Sequence, residues 1–316
     1  MGWPSIGVVV PTRNRPELLR AALASIAAQD YPGELRVIVV FDQAEPDLSL
    51  AAGDRVKVQA NDRTPGLAGA RNCGILALDT DLVAFCDDDD EWLPRKLTAQ
   101  AEAMLADPHA EFASCGIRVR FEGRPAGRPA GQATGRLTDR LAGRSEVTYA
   151  ELLRSRMVMV HSSTYLIARS SLLAGSDGIG LVDETIPASQ NEDWDLALRA
   201  ARRRPIVHVD EPLVQVRWGP ASYYSLRWES KVAGLHWMLD HHPDLAASRP
   251  GSARVYAQIA FGYACMRRRR ESFRWAVRAF RRNWHERRLP FVLLAASGVV
   301  PGKRVLRALH ARGHGI

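Results

Sequence analysis

Cysteine is scarce and scattered: four in 316 residues, Cys73, Cys86, Cys115 and Cys265, with no C-x-x-C pair among them. That excludes a disulfide-stapled scaffold and a thiolate zinc site, and points to reduced cytosolic thiols. Long hydrophobic runs are missing too. The longest, LPFVLLAASGVVP near the C-terminus, is too short to span a bilayer. The opening MGWPSIGVVVPTRNRPELL lacks the basic stretch and apolar core of a secretory leader. Ile6 stands where N-myristoylation wants Ser or Thr. No G-x-G-x-x-G follows a strand pattern, which removes the dinucleotide fingerprint. A cytoplasmic chain is expected.

What is present is an ordinary globular balance, 46% hydrophobic and 25% charged, long enough for a sizeable core. The net charge of +8 is unevenly placed. Ten arginines and only two acids stand between Arg267 and Arg288, so the remainder of the chain balances to zero.

The first third alternates β-branched runs (SIGVVVP, LRVIVVFD, RVKVQ, DLVAFCD) with helical patterns (RPELLRAALASIAAQ, GLAGARNCGILAL, EWLPRKLTAQAEAML). Such alternation predicts a parallel sheet with helices on its faces, and ligands bind outside the carboxyl ends of such strands. PTRN, Asp42 and the run Asp87–Asp90 all fall at that end. Residues 122–146 are rich in Gly, Pro and Arg and read as a loop. Further on, SSTYLIA reads as a strand and NEDWDLALRAARR as a helix. Beyond Gly219 the pattern is helical. Phe273, Ala276, Val277, Phe280 and Trp284 share one stripe of the helix SFRWAVRAFRRNW, expected to face the core with Arg274, Arg278, Arg281 and Arg282 turned away.

The stretch LVAFCDDDDEWLP carries the chemistry. An acidic helix N-terminus accounts for one or two of its acids, Asp90 and Glu91 ahead of WLPRKL. It does not account for Asp87 and Asp88, which follow directly on buried strand residues. A hard divalent cation does, since Mg²⁺ or Mn²⁺ takes a couple of carboxylates and completes its shell with substrate phosphates and water. Alternate residues at a strand end point the same way, so Asp87 and Asp89 can share a ligand.

Asp87-Asp88-Asp89 resembles the D-x-D signature of nucleotide-sugar glycosyltransferases of the GT-A fold. VVVPTRNRPELL is similar to the first strand and turn of family 2 of these enzymes, GLAGARNCGI to its glycine-rich helix start, and NEDWDLALRAA to its late Glu-Asp motif. The four segments stand in the family's order over roughly residues 5–217. The resemblance implies a doubly wound, mostly parallel, Rossmann-like α/β fold with a C-terminal helical extension. Residues 1–218 would form the glycosyltransferase domain, with 1–118 binding the nucleotide sugar, 119–147 a loop insertion and 148–218 the acceptor half. Residues 219–316 would be the basic helical region.

Residue by residue, the resemblance places Pro11, Thr12 and Arg13 near the base, with Asp42 accepting from a base N–H. Phe41 replaces the first of the family's two acids there, and Asp42 as a turn-former is the plainer alternative. Arg71 suits a diphosphate, and Gly66 and Gly69 allow close backbone approach, though small residues also suit a helix start. Asp87 and Asp88 would contact the nucleotide sugar, and Asp89 with Asp87 would hold Mn²⁺ or Mg²⁺. The family's late histidine has no counterpart in VRWGPAS; His236, His241 and His242 lie further on and read as surface or core. Asp193 would be the base of an inverting displacement and Glu192 its neighbour, against a simple acidic helix cap. Trp194 packs under the sugar or belongs to the core, and Arg217 and Trp218 could close over the diphosphate.

A UDP-sugar is the expected donor, and a saccharide, a lipid-linked saccharide or a small natural product the acceptor. Nucleotidyl transfer to a sugar phosphate ranks lower, because PTRNRPE lacks glycines. A different class of function is a non-catalytic protein that binds membranes or polyanions through Arg267–Arg288 at the inner membrane face. The arginines could also be a solvated face. Nucleic acid is disfavoured, since little aromatic or glycine interleaving accompanies them.

Overall fold

A computed structural model describes residues 2–51, 53–121, 137–218, 227–297, 302 and 305. Its strands are β1 (Ile6–Thr12), β2 (Leu35–Phe41), β3 (Val56–Ala60), β4 (Leu82–Phe85), β5 (Glu91–Trp92), β6 (Phe112–Phe121), β7 (Leu137–Arg140), β8 (Glu146–Val147), β9 (Leu166–Ala168) and β10 (Ile206–Trp218). Its helices are α1 (Pro16–Ala27), α2 (Leu67–Ala77), α3 (Lys96–Ala106), α4 (Tyr149–Arg154), α5 (Arg169–Leu173), α6 (Glu192–Arg203), α7 (Trp228–His241), α8 (Pro243–Ala247), α9 (Arg249–Cys265), α10 (Arg269–Arg282) and α11 (Leu289–Ser297).

Two compact units divide the chain. The first comprises residues 1–152, 156–185 and 192–219; the second comprises 153–155, 186–191 and 220–316. The first unit holds one sheet of order β3-β2-β1-β4-β9-β6-β10-β5, with β7 on β6 and β8 on β10. β1 pairs parallel with β2 and β4, β2 with β3, and β6 with β10; the remaining pairings are antiparallel. β1 is buried along its whole length, which is why its sequence is continuously apolar and not alternating. The α/β expectation is met, with one local correction. Glu91 and Trp92 form a short strand against β10, and α3 begins only at Lys96. No acid stands in its first turn, so the aspartate run does not cap that helix.

The predicted insertion at 119–147 lies partly outside the described residues, at 122–136. Its remainder includes β7, which pairs back antiparallel on β6.

In the second unit the helix–turn–helix is α9 and α10, with Arg267 in the left-handed region at the turn (φ 60°). The expected core stripe holds at Ala276 but is overturned for its three rings, of which Trp284 lies just past the end of α10. Phe273, Phe280 and Trp284 are 63%, 57% and 66% exposed, while Ser272, Ala276 and Ala279 are buried. The reason is steric. Ala257, Ala260 and Ala264 with Ala276 and Ala279 make a seam of small side chains within one cluster, and rings do not fit where alanines set the spacing between helices.

One buried cation lies under the sheet. Lys96 is fully buried, its ammonium 3.9 Å from the centre of the Trp92 ring and 3.3 Å from the Tyr165 carbonyl that accepts from it. Burial lowers its pKa to about 8. A folded-state value below the unfolded one favours the fold at high pH. The contribution of Lys96 to stability should therefore rise between pH 8 and 10.5 by up to about 3 kcal/mol, against the opposing slope of the buried thiols Cys86 and Cys115, whose pKa values burial raises. The stability of wild type relative to Lys96→Met should increase across that range, measured by urea denaturation of both proteins.

Candidate active site

The site stands at the carboxyl ends of β1, β2 and β4 and at the start of α6. Beyond β4 the Cys86 N–H still donates to the Val9 carbonyl, and the chain then enters Asp87–Asp90. Each carboxylate finds a different neighbour. Asp87 accepts from Arg71 Nη2 at 2.6 Å and from Ser162 Oγ at 2.9 Å, while its own N–H donates to Ser163 Oγ. Asp88 accepts from Thr12 Oγ1 at 2.8 Å and from Arg15 at 3.2 Å. Asp89 accepts from Arg15 at 2.8 Å. Asp90 accepts from Ser163 Oγ at 2.6 Å, and His161 Nδ1 lies 3.5 Å from it.

Four crowded acids repel one another, and the structure sorts them. Burial pushes Asp88 up to about 6, with Asp89 adding to it and Thr12 and Arg15 opposing. Burial and neighbouring carboxylates also raise Asp89 and, much further, Asp90. Asp87 alone is held below its ordinary value: burial pushes it up, but Arg71 and His161 outweigh that. It keeps its charge most firmly.

Arg71 is the hub. Fully buried on α2, it donates Nη2 to Asp87 and Nη1 to Glu192, so one guanidinium joins the strand-end acids to the start of α6. Burial alone would lower its pKa; Asp87 and Glu192 raise it instead. Glu192 is raised to about 7 by its own burial, with Arg71 opposing. Asp193 accepts from Arg156 and from the Trp194 N–H.

Asp42, expected at the base, is engaged within the chain. One oxygen accepts from the Gly66 N–H and from Asn61, the other from Gln43. It thereby ties the end of β2 to the start of α2. Gly69 is small for a reason inside the fold, since a Cβ there would sit 1.9 Å from the Thr64 carbonyl oxygen. Pro11 and Thr12 close β1, paired with Val40 and Phe41, and Arg13 follows half-buried. A pocket of about 200 Å³ opens beside them, lined by Thr12, Asn14, Arg15, Phe41, Ala44 and Asp47 among others. Asn14 and Gln43, at the ends of these two strands, both adopt left-handed backbone (φ 55° and 52°).

Oxygens of Asp87 and Asp90 and a ring nitrogen of His161 lie within 4.8 Å of one another. Two hard carboxylates and one imidazole fit a divalent cation. Asp90, assigned from the sequence to an acidic helix N-terminus, belongs to this cluster, whereas Asp89 is paired with Arg15. The sequence reading places pocket residues around His161–Thr164 without giving His161, Ser162 or Ser163 a role at the acids, and it did not find Arg15 or Arg156. The available signal was HSST, a polar quartet directly ahead of a buried strand. Trp194 proves to be core: it is buried and donates Nε1 to the Leu152 carbonyl. Arg217 pairs with Glu91 at 2.7 Å, and Trp218 meets Phe121 edge to face. His236, His241 and His242 belong to the second unit, where His236 packs on Trp275 and His241 stacks on Trp237.

The sequence profile of Glycosyl transferase family 2 matches residues 7–170, just over half of the chain. The chain belongs to glycosyl transferase family 2. One relative within the family's reach is the UDP-Glc:alpha-D-GlcNAc-diphosphoundecaprenol beta-1,3-glucosyltransferase WfgD of Escherichia coli. It is 27% identical over 104 residues, covering 32% of this chain and 41% of that protein. The chain spans only 33–41% of the length of the first curated relatives it matches. Staphylococcus aureus TarS 1-349, solved with UDP-GlcNAc, aligns with a TM-score of 0.56 at 18% identity, over 98% of this chain and 92% of that one. The mannosyltransferase PcManGT of Pyrobaculum calidifontis, solved with GDP-Man and Mn²⁺, aligns with a TM-score of 0.53 at 18% identity, over 98% and 80%. At that identity the likeness shows a shared GT-A fold. Family 2 membership and the fold both agree with the sequence expectation.

Within this family 2 site, removing Arg71 leaves Asp87 and Glu192 buried without their shared cation. Arg71→Met should lower stability by about 3 kcal/mol or more at pH 8. The loss should shrink towards pH 5, where the two acids can take up protons instead. Urea denaturation at both pH values checks it.

Proposed function

We propose that the chain moves a glycosyl group from a nucleotide sugar to an acceptor hydroxyl, with inversion at the anomeric carbon. The observation that carries this reading is the Arg71 bridge, which brings strand-end acids of the D-x-D type and the Glu192–Asp193 pair to one rim of the sheet. The family match favours glycosyl transfer over nucleotidyl transfer and over a purely binding role. UDP-sugar is the donor we propose, supported by the UDP-Glc in the name of one relative and the UDP-GlcNAc bound to one fold neighbour. Two relatives are named for undecaprenol-diphosphate-linked saccharides, which makes a lipid-linked saccharide the acceptor class we favour.

In the displacement, the acceptor oxygen forms a bond to the anomeric carbon as the bond from that carbon to the diphosphate oxygen breaks. The electron pair leaves with the nucleoside diphosphate. Asp193 receives the acceptor proton on a carboxylate oxygen. Arg156 holds that carboxylate in place; Glu192, turned to Arg71, is occupied by positioning. Asp87, Asp90 and His161 would hold Mn²⁺ or Mg²⁺, with Asp89 a further candidate from the sequence pattern. When bound, the cation neutralises charge on the departing diphosphate. Thr12 and Arg15 orient Asp88 and Asp89 at the donor side, and Pro11, Arg13 and Asp42 border the proposed base site.

Asp193→Asn should reduce transfer by about 10²–10⁴-fold while leaving UDP binding intact. Asp87→Asn should instead abolish the Mn²⁺-dependent part of UDP binding. Product formation from UDP-sugars and calorimetry with UDP, with and without Mn²⁺, measure the two. Full transfer by Asp193→Asn would overturn the base assignment.

A further inference from the structure

The rings that the sequence assigned to the core of α10 face outward instead. Phe273, Val277 and Phe280 recur at intervals of four and three, which lays them along one line of the helix, and Trp284 stands in the turn just past its end, beyond the extended Asn283. The opposite side is committed to the alanine seam, with Trp275 half-buried against Tyr256 and His236. The two phenylalanines and the tryptophan are therefore turned outward by packing, each more than half exposed. Arginines flank the line. Arg269, Arg270, Arg274, Arg281 and Arg282 are all exposed, and Glu271 is the one acid in the helix, paired with Arg268. On α11, Leu293 and Leu294 are exposed as well.

We propose that this face of α10, together with the turn that follows it, docks on an anionic lipid surface, with Phe273 and Phe280 of the helix and Trp284 of the turn entering the headgroup–acyl boundary and the arginines bonding lipid phosphates. Amphipathic helices that lie in the plane of a membrane carry this chemistry: a line of large apolar rings edged by guanidinium groups. Charge complementarity selects the occupant. A second copy of the chain would bring one arginine row against another, and like charges oppose that pairing. An uncharged apolar partner would leave the arginines without use. The proposal narrows the basic segment Arg267–Arg288 from a general polyanion surface to one helix face in which the rings are as necessary as the charges. It rests on the second unit alone and stands whether or not the transfer reaction proposed above is correct.

Co-sedimentation of the full chain with phosphatidylcholine vesicles, with and without phosphatidylglycerol, tests it at low and high salt. The chain should sediment with the anionic vesicles and be released by salt. The variant Phe273→Ser/Phe280→Ser/Trp284→Ser should partition about tenfold less to the same vesicles. Its thermal midpoint should stay close to wild type, because the three rings are exposed. Any of three results overturns the proposal. The wild-type chain could stay in the supernatant with anionic vesicles. The triple variant could bind them as wild type does, which would leave a purely electrostatic contact. Or size-exclusion chromatography could show a wild-type dimer that the substitutions dissociate, with no vesicle binding by either form.

Discussion

One buried guanidinium holds the site together. Arg71 sits where β4 runs out and α6 begins, and both ends of its fork are engaged by acids that would otherwise repel each other. A neutral side chain of the same shape would leave two carboxylates out of water with no counter-charge. Because the fork is rigid and planar, it fixes the distance between these acids as well as their charge. A lysine could meet only one of the two with comparable geometry.

The same logic runs along the aspartate run. Four adjacent acids would be intolerable in one environment, so the fold gives each a different one: a buried cation for Asp87, a hydroxyl for Asp88, a half-exposed arginine for Asp89, a serine and an imidazole for Asp90. The outcome is a gradient of protonation within four residues, from a carboxylate held charged to one strongly biased towards its neutral form.

How much of this was legible in the sequence follows from range. The β-branched runs and the acids directly after them announce themselves locally, so the sheet, its rim and the candidates Asp42, Asp87, Glu192 and Asp193 can be read in one pass. His161 and Arg156 cannot, because their partners stand 71 and 37 positions away in sequence and nothing in a linear pattern reports such pairs. Asp42 was placed correctly at the rim, yet its bonds to Gly66 and Asn61 show a structural duty that spacing does not reveal. The α10 stripe failed for a different reason. Periodicity identifies two faces of a helix but assigns the inward one by hydrophobicity, and here close approach between helices selected alanine over the larger rings.

The short turn at Ser162–Thr164 ties several of these threads. His161 caps it, Ser162 reaches Asp87, Ser163 bonds the Asp87 N–H and the Asp90 carboxylate, and the Ser163 carbonyl accepts from Trp92. Successive residues thus serve different atoms of the same acidic run, which makes the number of residues between Val160 and Tyr165 as consequential as their identity. An insertion or deletion of a single residue there would unseat every donor at once. Loop-length engineering in this chain has room elsewhere, but at this turn the count itself is part of the chemistry.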